Sequence, residues 1–169
     1  MGKAPMPSIM AIDPGGTTGW CLAPLAYARN ARVDGRFGKA VQWGQIEGYT
    51  SHEYQVDEIL VMVRRSGVRV LVMETWDKRP KSALSGDALA PVSIDAMVKY
   101  GLHHKWSDVV YLGQQPSMMK IVTDDRLRRL GFEWVKTRER HQADAARHLV
   151  VALRRIRAGK VKLPEGVWL

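Results

Sequence analysis

Three carboxylates stand where the local pattern gives them no obvious structural duty. Asp13 closes the short apolar run Ser8 to Asp13 (SIMAID) and is followed at once by Pro-Gly-Gly-Thr-Thr-Gly. Aspartate is disfavoured in strands, and desolvating an unpaired carboxylate costs roughly several kcal/mol. Glu74 repeats the arrangement at the end of Val70-Leu71-Val72-Met73. Asp144 lies in the segment His141-Gln142-Ala143-Asp144-Ala145-Ala146-Arg147-His148. At about 100° per residue, His141, Asp144 and His148 fall within about 60° of one another on a helix. Three acids with one or two imidazoles make an oxygen-rich donor set, which suits Mg²⁺ or Mn²⁺ better than zinc. Two such ions can activate a water and stabilise the leaving oxygen of a phosphodiester during in-line displacement. The plainer readings stay open from the residues alone: Asp13 as a turn cap, Glu74 solvated at a strand end, the imidazoles as hydrogen-bonded boundary residues. Gly15-Gly16 would let the backbone pass close to a ligand, and Thr17-Thr18 offers hydroxyls. A nucleophilic thiol has no support, because Cys21 lies inside a strand pattern with no His nearby.

The elements that must carry these groups are readable in outline. Ser8 to Asp13 reads as a buried strand entering a tight turn, Thr18 to Leu22 as a second strand and Ala40 to Glu47 as a third. Ala23 to Lys39, with its Pro, Asn, Gly and three Arg, is expected to be a long loop. Helical spacing over His52 to Arg65 puts Val56, Ile59, Leu60 and Val63 on one face, with Ser51 as N-cap. Val68 to Glu74 is a fully buried strand, and Thr75 to Gly86 a polar, basic loop. A helix over about Pro91 to His104 and a strand at Val109 to Leu112 follow. Pro116 opens a short helix, Asp124 to Leu130 forms another ending at Gly131, and a long helix runs from about Glu139 to Ala158 and ends at Gly159. On that last helix Arg140, Arg147 and Arg154 are expected to form a separate stripe on the side opposite the acid. The alternation predicts an α/β sandwich around one mixed sheet.

Composition narrows the class. The 169 residues hold 46% hydrophobic residues and a single cysteine, enough for one core, so a single domain over 1–169 is expected. One cysteine excludes an intramolecular disulfide and a Cys-rich zinc module. No signal-peptide core and no run of 18 apolar residues is present, so a cytoplasmic location without membrane association is expected. The net charge of +9 is unevenly placed. Residues 126–162 carry twelve Lys/Arg against Glu133, Glu139 and Asp144, whereas residues 1–125 are nearly balanced. A cationic last quarter suits a polyanion, although a solvated helix face gives the same count.

Taken in order and at these separations, MAIDPGGTTGW, VLVMETW and HQADAARHLVVAL resemble the ribonuclease H-like superfamily. Within it the likeness is to RuvC-type Holliday-junction resolvases, especially the small RuvC-like proteins of bacteriophages, and it spans nearly the whole chain. The resemblance implies a ribonuclease H-like α/β fold with a mixed five-stranded sheet, three antiparallel strands then parallel ones, flanked by helices. It implies Asp13 as the carboxylate bridging two metal ions, Glu74 as the second acid and Asp144 as the helix acid. His141 then stands where many family members have Asp and some have His. A shifted register would put Asp144 in the earlier place and Arg147 in the last, where it could not bind a cation; His148 is a further candidate. The implied activity is a Mg²⁺- or Mn²⁺-dependent endonuclease on branched DNA, working as a homodimer in a bacterial host cytoplasm. The helix near Pro91 to His104 is the expected dimer contact, although its Met97 and Val98 fit an ordinary core equally well.

Further residues suit a DNA surface. Trp76, Lys78, Arg79 and Lys81 follow directly after Glu74, one aromatic among three cations: the cations neutralise phosphates and the indole can stack on an unpaired base. The same Trp could fold back onto the core. Lys120, Arg126 and Arg129 extend the footprint. No helix-turn-helix or zinc-finger pattern is present, which favours reading of DNA shape. Two other classes compete: a nuclease of the same fold acting on structured RNA or an RNA–DNA hybrid, and an actin-like nucleotide-binding protein suggested by DPGGTTG. The latter class usually needs two such domains and a second phosphate loop, which this chain lacks.

Overall fold

The structure, a computed structural model, describes residues 6–29, 35–48, 51–75, 86–133 and 140–168, with the side chains of 86–88 and 140 left aside. Five strands form one sheet: β1 (Ser8–Asp13), β2 (Thr17–Pro24), β3 (Gln42–Glu47), β4 (Val68–Glu74) and β5 (Val110–Gln114). Their order is β3-β2-β1-β4-β5. The β1–β2 and β2–β3 pairs are antiparallel, and β1–β4 and β4–β5 are parallel. This is the expected mixed sheet of three antiparallel strands followed by parallel ones.

The helices are α1 (His52–Arg65), α2 (Gly86–Lys105), α3 (Asp124–Arg129) and α4 (Arg140–Arg157). α1 starts and stops as its sequence dictates. The Ser51 hydroxyl accepts from the Tyr54 amide, Glu53 lies in the first turn, and Arg64 and Arg65 in the last, each favourable to the helix dipole. α2 begins a turn before Pro91 and keeps that proline inside the helix. β5 runs two residues beyond the expected Leu112, to Gln114. The expected loop between β2 and β3 contains single turns of 3₁₀ helix at Leu25–Ala28 and Phe37–Ala40, whose Leu25, Ala28 and Phe37 are buried. Three apolar side chains entering the core give that connection its structure. After α4, Gly159 takes φ +67°, the left-handed conformation a helix exit favours.

Strand parity divides the core. On β1 and β4, Ile9, Ala11, Val70 and Val72 face α4 and meet Leu149, Val150 and Leu153. Met10, Ile12, Leu71 and Met73 face the other way and meet Val56, Ile59, Ile94 and Val98 of α1 and α2. Each fully buried side chain of this size contributes about 1.5–3 kcal/mol. Val98 is therefore core, and Met97 packs partly buried against the same layer. Parity also aims the strand ends. Two residues past Ala11 and Val72, Asp13 and Glu74 both point to the α4 side, and Gln114 does so two residues past Leu112.

Candidate active site

The register brings the two strand acids together. Ile12 pairs with Met73 across parallel β1 and β4, so Asp13 and Glu74 end neighbouring strands about 4.8 Å apart. Gln114, paired with Glu74 on β5, continues the row. All three are buried. The first turns of α4 cross above this edge and deliver His141, Asp144 and His148.

The close approach of α4 depends on Gly19. This residue sits opposite Asp13 on β2, and a Cβ there would lie 2.1 Å from the His141 carbonyl oxygen. Gly16, by contrast, has open space around it. Gly19 is an isolated glycine inside a strand that marks close backbone approach, here of β2 to the start of α4. Nearby, the Cys21 thiol donates to the Gln142 carbonyl oxygen. Burial pushes that thiol's pKa up, in keeping with a structural cysteine. Among the described residues the buried Gln142 side-chain oxygen has no hydrogen-bond partner, and nothing in the structure explains it.

Two carboxylate–imidazole pairs result. His141 Nδ1 lies 2.9 Å from Asp13 Oδ2, with 44% of the His side chain exposed. His148 Nε2 lies 2.8 Å from Glu74 Oε2, with the ring completely buried. Burial raises the Asp13 pKa to about 6 against the pull of the His141 hydrogen bond, and the Glu74 and Asp144 charges push it further up. His141 is raised chiefly by its hydrogen bond to Asp13, against desolvation, with the Asp13, Asp144 and Glu74 charges adding to the effect. The acids from two strands and one helix are therefore within electrostatic reach of one another.

Asp144 has a different partner. Arg147 ion-pairs with both Asp144 and Asp124 and donates from Nε to the Val122 carbonyl oxygen at 3.1 Å. The expected arginine stripe away from the acid is corrected here. Three residues along a helix is a turn of about −60°, so Arg147 stands beside Asp144 rather than opposite it. The guanidinium ties the start of α3 to α4.

The donor chemistry of Asp13, Glu74, His141 and Asp144 fits a hard divalent cation, and like charges crowded around a buried carboxylate call for one. Among the described residues, however, no three acidic, His or Cys side chains are already arranged to hold a metal ion. Asp144 would have to turn away from Arg147 to join. Lys120, Arg126 and Arg129 are exposed. Arg126 is close enough to Arg154 that its charge, with burial the larger cause, lowers the Arg154 pKa. Trp76, Lys78, Arg79 and Lys81 lie outside the described residues. Sequence reasoning misses Gly19, Gln114 and the role of Arg147. Strand parity extended two residues past Leu112 would have found Gln114.

No protein-family model matches the sequence, and no curated protein sequence does. Among solved structures, Thermus thermophilus RuvC in complex with a Holliday junction substrate is similar over 92% of this chain and 98% of its own, with TM-score 0.63 and 16% identity. RuvC of the same organism on its own gives TM-score 0.62 and 15% identity over the same shares. The yeast mitochondrial Holliday junction resolvase Ydc2 gives 0.55 and 12%, over 90% of this chain and 79% of its own. The chain has the ribonuclease H-like fold of the RuvC-type resolvases. No helix among the described residues is long and apolar enough to cross a membrane.

Proposed function

We propose that the chain is a metal-dependent, structure-specific endonuclease that hydrolyses phosphodiester bonds in branched DNA, Holliday junctions foremost. The observation that carries this reading is the placement of Asp13 and Glu74 at one sheet edge with His141 on Asp13, and of Asp144 on the same α4 turn, near enough for its charge to act on Asp13 and His141. The fold shared with RuvC on its junction substrate supports the DNA assignment. In this reading Asp13, Glu74, His141 and Asp144 are the catalytic and metal-holding residues, with two Mg²⁺ or Mn²⁺ ions per site. Such ions supply water activation and leaving-oxygen stabilisation. The protein's own part is to hold the carboxylates on rigid strand ends, to keep water from Glu74 by burial, and to orient His141 through Asp13.

The 169 residues act as one domain, and a homodimer supplies the paired sites that two symmetric nicks require. The apolar side chains exposed on α2, Leu89, Val92 and Tyr100, suit that contact. Trp76, Lys78, Arg79, Lys81, Lys120, Arg126 and Arg129 are the proposed DNA contacts. The length and motifs resemble the small bacteriophage branch, whose site of action is the host cytoplasm.

Asp13→Asn and Glu74→Gln should abolish cleavage of a four-way junction in Mg²⁺ while leaving junction binding largely intact; full cleavage by either removes the site. A four-way DNA junction, a DNA fork and an RNA–DNA hybrid compared in Mg²⁺ decide the substrate. Preference for the hybrid would favour the ribonuclease alternative.

A further inference from the structure

His148 of α4, Glu74 of β4 and Gln114 of β5 are all buried, with His148 at 0% and Gln114 at 1% exposure. Buried polar groups of this kind are stable only when paired with one another. Their pairing is directional. A carboxylate only accepts, so the Nε2 of His148 that lies 2.8 Å from Glu74 Oε2 carries the ring proton. Nδ1 then presents its lone pair, and the Gln114 amide nitrogen, 2.9 Å away, donates to it. That orientation of Gln114 is the one that satisfies every contact. Its nitrogen also donates to the His148 carbonyl oxygen at 3.2 Å, and its oxygen accepts from the Ala152 amide at 3.3 Å. The carboxamide thus bridges successive groups of the α4 backbone ladder and is locked at both ends.

We propose that His148, oriented by Gln114, is a positioning residue for Glu74. It holds Oε2 back and presents Oε1 to a divalent cation, and it is not itself a metal ligand, because the nitrogen facing the site bears a proton. The inference rests on the metal-dependent nuclease reading and deepens it. Three elements combine to this end, with β4 supplying the carboxylate, α4 the imidazole, and β5 the amide that selects the tautomer. Outer partners of metal-holding groups typically change metal affinity or activity by roughly 10–100-fold when removed.

The test uses the full-length protein without DNA. In ¹⁵N-labelled protein titrated with Mg²⁺, the His148 Nε2–H resonance should persist to saturation while signals around Asp13 shift. Loss of that proton on metal binding would make His148 a ligand and overturn the proposal. Calorimetric titration with Mn²⁺ provides the second arm. His148→Gln keeps a donor near the Nε2 position and should bind within a few-fold of wild type. His148→Asn keeps only the atom near Nδ1 and should lose roughly 10–100-fold. Equal affinity in His148→Asn and wild type, at equal melting temperature, overturns the positioning role. If these variants fail to fold, the NMR arm decides alone. Wild-type protein that shows no shift with Mg²⁺ and no heat with Mn²⁺ sinks the nuclease reading itself, and this outcome is distinct from all the others.

Discussion

The two carboxylate–imidazole pairs use the same chemistry in opposite surroundings. Glu74 and His148 are sealed between the sheet and α4, and Gln114 fixes the far side of the ring. Asp13 and His141 form the same contact at the rim, where the imidazole is nearly half exposed and answers to several charges. One pair is a preset fixture. The other remains responsive, since Asp13 is pushed up to about 6, where protonation and cation binding compete near neutral pH. Under the proposed nuclease reading, this contrast would have the interior pair set where a cation sits and the rim pair meet substrate and proton.

Substitution on each side should therefore differ in size. Glu74→Gln removes a fixed anionic oxygen and should cost about 10³-fold or more in cleavage, the equivalent of several kcal/mol of charge stabilisation. His141→Asn, at the adaptable rim, should cost roughly 10–100-fold, the range seen when one supporting group of a metal site is lost. Single-turnover cleavage of a four-way junction at saturating Mg²⁺ measures both. Equal losses would erase the distinction between the pairs.

A backbone substitution should break the rim pair alone. Gly19→Ala forces a methyl group to within 2.1 Å of the His141 carbonyl oxygen, so the start of α4 must move. Overpacking of this kind costs typically about 1–3 kcal/mol. A lowered melting temperature is expected, with the His141 ring signals shifted and those of His148 nearly unchanged. A variant that melts like wild type would show that α4 does not need this approach.

How the sequence foretells these pairs follows from their physics. Asp13 and Glu74 are legible because a charged residue ending an apolar strand run conflicts with propensity, and conflicts of that kind mark sites. His141 and Asp144 follow from helical spacing. Gln114 and Gly19 are not legible in the same way. A neutral amide at a strand end carries no charge anomaly, and the need for glycine at position 19 arises from a helix more than a hundred residues later in the chain. For Arg147, the seven-residue spacing to other arginines points to the wrong side of α4, and the three-residue spacing to Asp144 is what decides its partner. The mixed sheet is legible from element order and the resemblance, whereas the buried 3₁₀ turns between β2 and β3 are hidden behind loop-like composition.

Charge at the rim has a pH signature. The folded pKa of Asp13, about 6, lies above its ordinary value of 3.8, so the native state disfavours the ionised form. Stability is lost as pH rises from about 4 to 6, and above pH 6 the full cost, about 2–3 kcal/mol, is present. Asp13→Asn removes that cost. The metal-free variant should melt higher than wild type at pH 8 by about 5 °C, and the advantage should vanish near pH 4. A gain independent of pH would place its origin elsewhere than in the buried charge.

The smallest effect belongs to Asp144, which sides with neither imidazole while Arg147 holds it. Arg147→Leu should free the carboxylate to turn toward the Asp13–His141 rim. The partly exposed ion pair contributes about 0.2–1 kcal/mol, so the gain in Mn²⁺ affinity is limited to about 2–5-fold. A loss of about 1 kcal/mol in stability should accompany it, because the Val122 carbonyl oxygen loses its donor. Calorimetric Mn²⁺ titration and thermal melting separate the two effects. Weaker Mn²⁺ binding in Arg147→Leu would mean that the guanidinium holds Asp144 in the position a cation needs, and Arg147 would then belong with Gln114 among the groups that orient the site.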